Sequence, residues 1–226
     1  MVKELNMCNF QTISEMHQSV VRSCEEIIRK SLDAGSRPHL LLSGGSTPVP
    51  VYTKLSKVAL PWHKITVGLV DDRFVSRESE YSNEKLIFES LLRDEASNGN
   101  FLGMVTDRVD KQYNLDQLET QYSCFEEKTD LVILGMGTDG HTASIFPYDE
   151  ASDAALTTKT GHYHYTISPI FPFQRITCSK HLLCKATNIF LLISGNEKRD
   201  LLMTGEHLPI HSFLEERPDI KIYWSE

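Results

Sequence analysis

Four short apolar segments, each ending in a glycine-rich or charged turn, constrain the fold of this chain more than any other feature. They cover residues 39–43, 65–70, 131–134 and 189–193. A strand that is covered on both faces is apolar along its whole length instead of alternating. Stretches with helical periodicity separate the segments, and this alternation predicts an α/β fold in which helices cover a parallel sheet.

Helix-capping residues and the spacing of apolar residues predict the remaining helices and strands. We expect helices over 13–33 and 51–57, after Ser82-Asn83, and over 115–125. Residues 148–161 are polar and irregular, which predicts a surface loop. Short strands are predicted at 162–167, 175–178 and 220–224. The sequence has no internal repeat or linker, so we expect residues 1–226 to form a single domain.

Composition excludes several classes of protein. With 40% hydrophobic and 24% charged residues, the chain has the composition of an ordinary globular protein. No run approaches the ~18 apolar residues that span a bilayer, and residues 1–6 do not resemble a secretory signal. We therefore expect a cytoplasmic protein with no membrane partner.

The net charge and the cysteine content indicate which partners and which covalent or metal sites to expect. The net charge is −8 and the 23 Lys and Arg form no run, so nucleic acid is not an expected partner. The five cysteines are scattered and never spaced as C-x-x-C, which favours reduced core thiols over disulfides or a zinc site. The alternating His162 and His164 suggest a metal pair, but no third ligand is near in sequence, so we expect no metal.

The segment that follows residues 131–134 has the composition of a catalytic turn. Gly135, Gly137 and Gly140 allow a ligand to approach the backbone, while Asp139 and His141 place an acid and a titratable base two residues apart. Residues 135–140 also fit G-x-G-x-x-G, the dinucleotide fingerprint. That motif needs a full helix and a second strand, and here a proline follows at position 147, so dinucleotide binding is disfavoured.

A second candidate site follows residues 39–43. Gly44 and Gly45 expose backbone N–H groups, Ser46 and Thr47 add hydroxyls, and Pro48 suits the start of a helix. Such a helix start binds phosphate well, although a plain strand-to-helix turn explains the same residues. No lysine follows at P-loop spacing, which disfavours a nucleoside triphosphatase.

Two further polar groups follow apolar segments. Asp71, Asp72 and Arg73 come after residues 65–70, and Lys198 lies in the first turn after residues 189–193. A solvated ion pair and a surface lysine are the alternative interpretations. Because parallel strands end at one edge of a sheet, we expect all four sites to converge there.

Five blocks of the sequence resemble the 6-phosphogluconolactonase family: residues 42–48, residues 70–75 with Ser82-Asn83, and residues 135–147, 175–177 and 195–198. The resemblance implies a Rossmann-like, three-layer parallel-sheet sandwich of the sugar-phosphate isomerase and deaminase type. It also implies hydrolysis of 6-phosphoglucono-1,5-lactone in the oxidative pentose phosphate pathway, without a cofactor. The implied partner is a small sugar-phosphate lactone, bound by a monomer or weak homo-oligomer.

The resemblance also implies roles for individual residues. His141 matches the catalytic histidine, with Asp139 beside it. The substrate-binding positions are Gly44, Gly45, Ser46, Thr47, Asp71, Arg73, Arg175 and Lys198, of which Arg73 and Lys198 match the phosphate-binding cations. Two departures are present: Asp72 stands where glutamate is usual, and residues 165–173 lack the usual lysine- and proline-rich run.

Two alternatives stay open at this point. Glucosamine-6-phosphate deaminases resemble the chain in the Asp-Gly-His block, but they carry glutamate before the proline, where this chain has Phe146. A non-catalytic sugar-phosphate sensor would keep the anion site and could dispense with Asp139 or His141, and both are present.

Overall fold

A parallel sheet of seven strands forms the centre of the structure, a computed structural model that describes residues 5–204 and 207–226. The strands of this sheet are β1 (Met7–Phe10), β2 (His39–Leu42), β3 (Thr66–Leu69), β5 (Asn100–Phe101), β6 (Leu131–Leu134), β9 (Asn188–Ser194) and β10 (Lys221–Ser225). Their order across the sheet is β1-β10-β9-β6-β2-β3-β5, and every neighbouring pair is parallel. The predicted α/β fold is confirmed.

The apolar segments form the interior of the sheet, as their composition predicts. All four residues of β6 are buried, and the segments that form β2, β3 and β9 are its close neighbours in the order β9-β6-β2-β3. Because these strands are adjacent and parallel, their carboxyl ends lie side by side at one edge. The short edge strands β1 and β5 have no clear sequence signal and were not predicted.

Helices flank the sheet. They are α1 (Ile13–Asp33), α2 (Val49–Leu55), α3 (Asn83–Ser90), α4 (Lys111–Gln121), α5 (Ser123–Glu127), α6 (Glu150–Thr157), α7 (Lys180–Cys184), α8 (Asn196–Met203) and α9 (Pro209–Glu216). The predicted first helix matches α1, which begins with a capping box between Thr12 and Glu15. None of the helices in these described ranges is long and apolar enough to cross a membrane.

Two predictions about helices were wrong in detail. The single helix expected over 115–125 is broken at Tyr122, whose buried hydroxyl accepts from Leu69 N–H and donates to the Leu102 carbonyl. The loop expected over 148–161 contains α6, which Asp149 caps by accepting from Ser152 N–H. Ala155 is the one apolar residue of α6 that is buried, so the apolar periodicity of this helix is too weak to recognise.

A second, antiparallel sheet of three strands lies beside the main one; two of its strands were predicted, at 162–167 and 175–178, but their pairing into a separate sheet was not. It contains β4 (Asp71–Arg73), β7 (Tyr163–Ile167) and β8 (Gln174–Cys178), in the order β4-β8-β7. Strand β4 is too short and too charged to be recognised from composition. The pairing brings Arg73 opposite Arg175, which places the two predicted arginines on neighbouring strands.

Candidate active site

A cavity of about 200 Å³ lies at the carboxyl ends of the central strands. It is lined by eight of the ten predicted site residues: Gly44, Gly45, Ser46, Thr47, Asp71, Arg73, His141 and Lys198. The structure therefore brings together groups from four segments that are far apart in the sequence. The other two are not part of the lining: Asp139 contacts His141, and Arg175 lies opposite Arg73 on the neighbouring strand.

His141 lies on a tight turn that is stabilised by hydrogen bonds between residues of the turn and its flank. Gly137 N–H donates to the His141 carbonyl (2.9 Å), and Gly140 N–H donates to the Gly137 carbonyl (3.2 Å). The Thr142 hydroxyl donates to the Gly135 carbonyl (2.9 Å). A side chain on Gly137 would collide with the imidazole of His141, so the ring occupies space that only glycine leaves free.

The same turn is fixed from outside by the region around α9. Gly140 has a φ of +76°, which favours glycine, and a Cβ there would lie 2.6 Å from Leu208. Ile210 N–H donates to the Gly140 carbonyl (3.2 Å). The imidazole itself packs against Phe146, with ring centroids 4.8 Å apart. Packing thus leaves the turn little freedom to move.

Asp139 is paired with the histidine. Its Oδ1 lies 2.5 Å from His141 Nδ1 and also accepts from the backbone N–H of His141 (3.1 Å). Partial burial acts to raise the pKa of Asp139, but its hydrogen bonds with His141 and the charge of that ring together lower it. An ionised carboxylate can only accept, so it favours the tautomer with a proton on Nδ1 and leaves Nε2 as the acceptor.

The glycine loop after β2 offers unused donors to the cavity. Among the described residues, none accepts a hydrogen bond from the backbone N–H groups of Gly44, Gly45 or Ser46. Gly45 has a φ of +103°, a conformation that favours glycine. Helix α2 covers Val49–Leu55 where a helix over 51–57 was expected, so it begins two residues earlier, and Pro48 is its N-cap residue. Free N–H groups near a helix start are suited to an anion.

Arg73 projects from β4 and is half-buried. Its Nη1 donates to the Tyr81 carbonyl (2.6 Å), and its backbone N–H donates to Asp72 Oδ1 (2.7 Å). Lys198 reaches the cavity from the first turn of α8. Burial lowers the pKa of Lys198, and the charges of Glu197 and Asp139 offset this in part. Two cations thus face the same space as the glycine loop.

Asp72 is buried behind Arg73 and connects β4 to the start of α3. Its carboxylate accepts from the backbone N–H groups of Asn83 (2.7 Å) and Glu84 (3.2 Å) as well as from Arg73 N–H. Burial raises the pKa of Asp72 to about 7, against the opposing effect of these backbone hydrogen bonds. Asp72 therefore fixes the backbone of Arg73 to the start of α3.

Asp71 lines the cavity and is held on its far side. It accepts from the Ser144 hydroxyl (2.5 Å), and the Ser144 carbonyl accepts from the Thr166 hydroxyl (2.6 Å).

Arg175 is buried on β8, where its Nη1 has no hydrogen-bond partner among the described residues. Burial and the charge of Arg73 lower the pKa of Arg175 to about 10. Its predicted role in substrate binding stays a prediction.

Sequence analysis missed two polar residues of the lining, Ser43 and Asn83. Both are buried, and Ser43 Oγ and Asn83 Oδ1 have no hydrogen-bond partner among the described residues. Ser82 caps α3 as predicted, by accepting from Lys85 N–H. The position of Asn83 directly after that cap was the available signal.

His162 and His164 are the residues whose alternation suggests a metal pair. Within residues 5–204 and 207–226, no group of three or more His, Cys, Asp or Glu side chains is placed to hold a metal ion. The ring of His162 stacks on His181, with centroids 6.1 Å apart, and its Nε2 lies 3.7 Å from Glu126.

The fold and the cavity define an α/β enzyme whose site lies at the carboxyl edge of a parallel sheet. A family model described as glucosamine-6-phosphate isomerases/6-phosphogluconolactonase matches residues 11–216, and the chain belongs to this family.

Several similar proteins carry the name 6-phosphogluconolactonase. One from Pseudomonas putida is 34% identical over 209 residues, which are 88% of this chain and 84% of that protein. One from Helicobacter pylori (strain J99) is 32% identical over 193 residues, which are 85% of this chain and 83% of that protein. A crystal structure of a 6-phosphogluconolactonase from Shewanella baltica OS155 aligns with a TM-score of 0.90 at 30% identity and covers all of both chains.

Proposed function

We propose that the protein hydrolyses 6-phospho-D-glucono-1,5-lactone to 6-phospho-D-gluconate, the second step of the oxidative pentose phosphate pathway. One observation carries this proposal: the His141 imidazole and the cations of Arg73 and Lys198 line the same cavity. A lactone phosphate presents one anionic end and one acyl carbon, and the cavity offers groups suited to each. The names of the similar proteins support the same reaction.

Histidine 141 serves as general base and then as general acid. Its Nε2 takes a proton from a water molecule while the water oxygen attacks C1 of the lactone. The bond between C1 and the ring oxygen then breaks, and the imidazolium returns the proton to that oxygen. The products are a carboxylic acid, which ionises, and a free hydroxyl. Asp139 holds the Nδ1 proton and stabilises the imidazolium between the two steps.

Arg73, Lys198 and the glycine loop bind the phosphate. A charge-assisted hydrogen bond to phosphate is stronger than a neutral one, and two cations match a dianion. Binding at this remote end orients C1 against the histidine, so that binding free energy is used to place the reacting bond. Asp71 faces the sugar between the two ends. None of these groups takes part in proton transfer.

The rate of lactone opening by the purified protein tests this proposal. The assay uses freshly prepared lactone and subtracts the spontaneous rate measured without protein. Opening well above the background, lost in His141→Ala, is the expected result. Opening at the spontaneous rate, together with measurable binding of 6-phosphogluconate, would instead indicate a sugar-phosphate sensor.

We further propose that residues 1–226 form one domain that acts in the cytoplasm as a monomer or weak homo-oligomer, without a cofactor or a nucleic-acid partner. The family match over residues 11–216 supports the domain assignment, as does the one continuous cluster of buried apolar residues in the described part of the chain. Light scattering over a range of protein concentrations measures the oligomeric state.

A further inference from the structure

We propose that Asn83 is a positioning residue that holds the glycine loop at a fixed separation from the strand bearing Arg73, so that the phosphate site is assembled before a ligand arrives. The inference rests on the proposed function, because it concerns the phosphate end of the same cavity.

The backbone of Asn83 is fixed to the strand β4. It is the first residue of α3, and its N–H donates to Asp72 Oδ1 (2.7 Å), the same atom that accepts from Arg73 N–H. Asn83 is 2% exposed. Any shift of Arg73 along β4 is therefore transmitted to Asn83 through one buried carboxylate.

The side-chain amide has only one possible orientation. Asn83 Nδ2 lies 2.9 Å from the backbone carbonyl of Asp71. A carbonyl oxygen can only accept, so the NH₂ group must face Asp71 and Oδ1 must face the other way. That other direction is towards Gly44 of the glycine loop.

Asn83 Oδ1 lies directly against Gly44. It occupies the space that a Cβ on Gly44 would need, so Oδ1 contacts the Gly44 backbone closely. Asn83 Oδ1 is buried and has no hydrogen-bond partner among the described residues. Its close contact on this side is therefore the backbone of Gly44. The glycine at position 44 thus leaves room for a side chain of the protein and not only for a ligand.

The loop has few other restraints between its ends. At one end the Tyr52 hydroxyl donates to the Ser43 carbonyl (2.8 Å), and Ser43 N–H donates to the Ile133 carbonyl (3.1 Å). Beyond Ser43, the N–H groups of Gly44, Gly45 and Ser46 make no hydrogen bond within the described residues. The amide of Asn83 is therefore a bridge from β4 to the part of the loop that faces the cavity. Preorganised donors bind an anion more tightly than donors that must first be ordered.

A double-mutant cycle tests the bridge. Dissociation constants for 6-phosphogluconate and for inorganic phosphate are measured by calorimetry with the wild type, Asn83→Ala, Gly44→Ala and the double variant. Asn83→Ala should weaken both ligands about tenfold, because the loop must be ordered on binding. Gly44→Ala should weaken them more, since its methyl group displaces the loop from Oδ1.

The double variant should bind better than Gly44→Ala alone, because removing the amide frees the space that the new methyl group needs. A merely structural loss at each site would instead give additive effects. Additive losses, or Asn83→Ala with wild-type affinity, would overturn the proposal. In the lactone assay Asn83→Ala should raise KM about tenfold and change kcat little, since the histidine turn is untouched.

Asn188→Ala is the matched control. Its Nδ2 also donates to an aspartate carbonyl, that of Asp130 at 2.9 Å, but it lies at the opposite end of the sheet. Urea unfolding compares the stability of the two variants, and only Asn83→Ala should lose affinity. Should the wild type bind phosphate more tightly than Asn83→Ala yet fail to open the lactone, the proposed function falls and the bridge stands. If the wild type opens the lactone and Asn83→Ala binds normally, the bridge alone falls.

Discussion

We call the end of the cavity formed by the glycine loop, Arg73 and Lys198 the phosphate end, after its proposed ligand, and it is built differently from the histidine end. The histidine end is one turn of seven residues, 135–141, closed by its own hydrogen bonds and by close packing against Leu208. The phosphate end brings together a loop after β2, the strand β4 and the start of α8, which are widely separated in the sequence. Buried Asp72 and Asn83 lie between β4 and the loop, so these parts are not held by one continuous segment.

Because the two ends are built differently, substitutions at each end should affect different steps of the reaction. Steric change at the histidine end should displace the imidazole and reduce turnover. Loss of a charge at the phosphate end should weaken binding and leave the chemical step almost intact. The carboxyl groups behind the two ends also differ, because burial raises the pKa of Asp72 to about 7 whereas the His141 interactions outweigh burial and lower that of Asp139.

The largest effect is expected from His141→Ala. Loss of the general base and acid should lower kcat by about 10² to 10⁴. The affinity for 6-phosphogluconate should stay within a few fold, because the phosphate end is unchanged. Steady-state kinetics and calorimetry measure the two quantities. Hydrolysis at the wild-type rate would refute the role of His141.

The next largest effect is expected from Gly137→Ala. The added methyl group collides with the His141 ring, and a displacement of about 1 Å can reduce the rate about 10²-fold. Gly135→Ala is the control on the same turn, since its Cβ would lie 3.9 Å from Ser43 Oγ without a clash. If both variants lose the same fraction of kcat, tight packing is not what places the imidazole.

At the phosphate end, Arg73→Ala should raise KM by about 10- to 100-fold and change kcat much less. The nearby Arg77 pairs with Glu78 at the surface, so Arg77→Ala is a matched control with no expected effect. The KM of the wild type should also rise with salt, and that of Arg73→Ala should rise less steeply. A loss confined to kcat would contradict the division between the two ends.

The smallest effect is a dependence of stability on pH. Since the pKa of Asp72 is raised to about 7, the folded state retains a proton between about pH 4 and 7 that the unfolded chain has released. The free energy of unfolding should therefore fall as pH rises through this window, by at most about 1.4 kcal/mol per pH unit.

Asp72→Asn should remove this part of the slope, as measured by urea unfolding at a series of pH values. Asp116→Asn, on the exposed face of α4, should leave the slope unchanged. An identical slope in wild type and Asp72→Asn would show that Asp72 is ionised throughout this range.

The sequence predicts what lies within single segments. The strand β6, the helix α1 and the glycine turn that carries His141 follow from local composition and periodicity. Convergence of four polar turns follows from parallel topology, and the cavity contains residues from all four. These features need no knowledge of how distant segments pack.

Features that depend on long-range pairing were not predictable. The antiparallel sheet rests on β4, which has three charged residues and no apolar pattern. The contact of Asn83 with Gly44 joins residues whose spacing in the sequence carries no signal. Arg175 shows the same limit, because its position opposite Arg73 depends on the register between β4 and β8.

The central claim is that the phosphate binds at the cations while C1 faces the histidine, and a crystal structure with 6-phosphogluconate tests it most directly. We expect phosphate oxygens within about 3 Å of the Arg73 guanidinium and the Lys198 ammonium, and the C1 carboxylate beside His141 Nε2. A ligand bound in the reverse direction, or outside this cavity, would contradict the account.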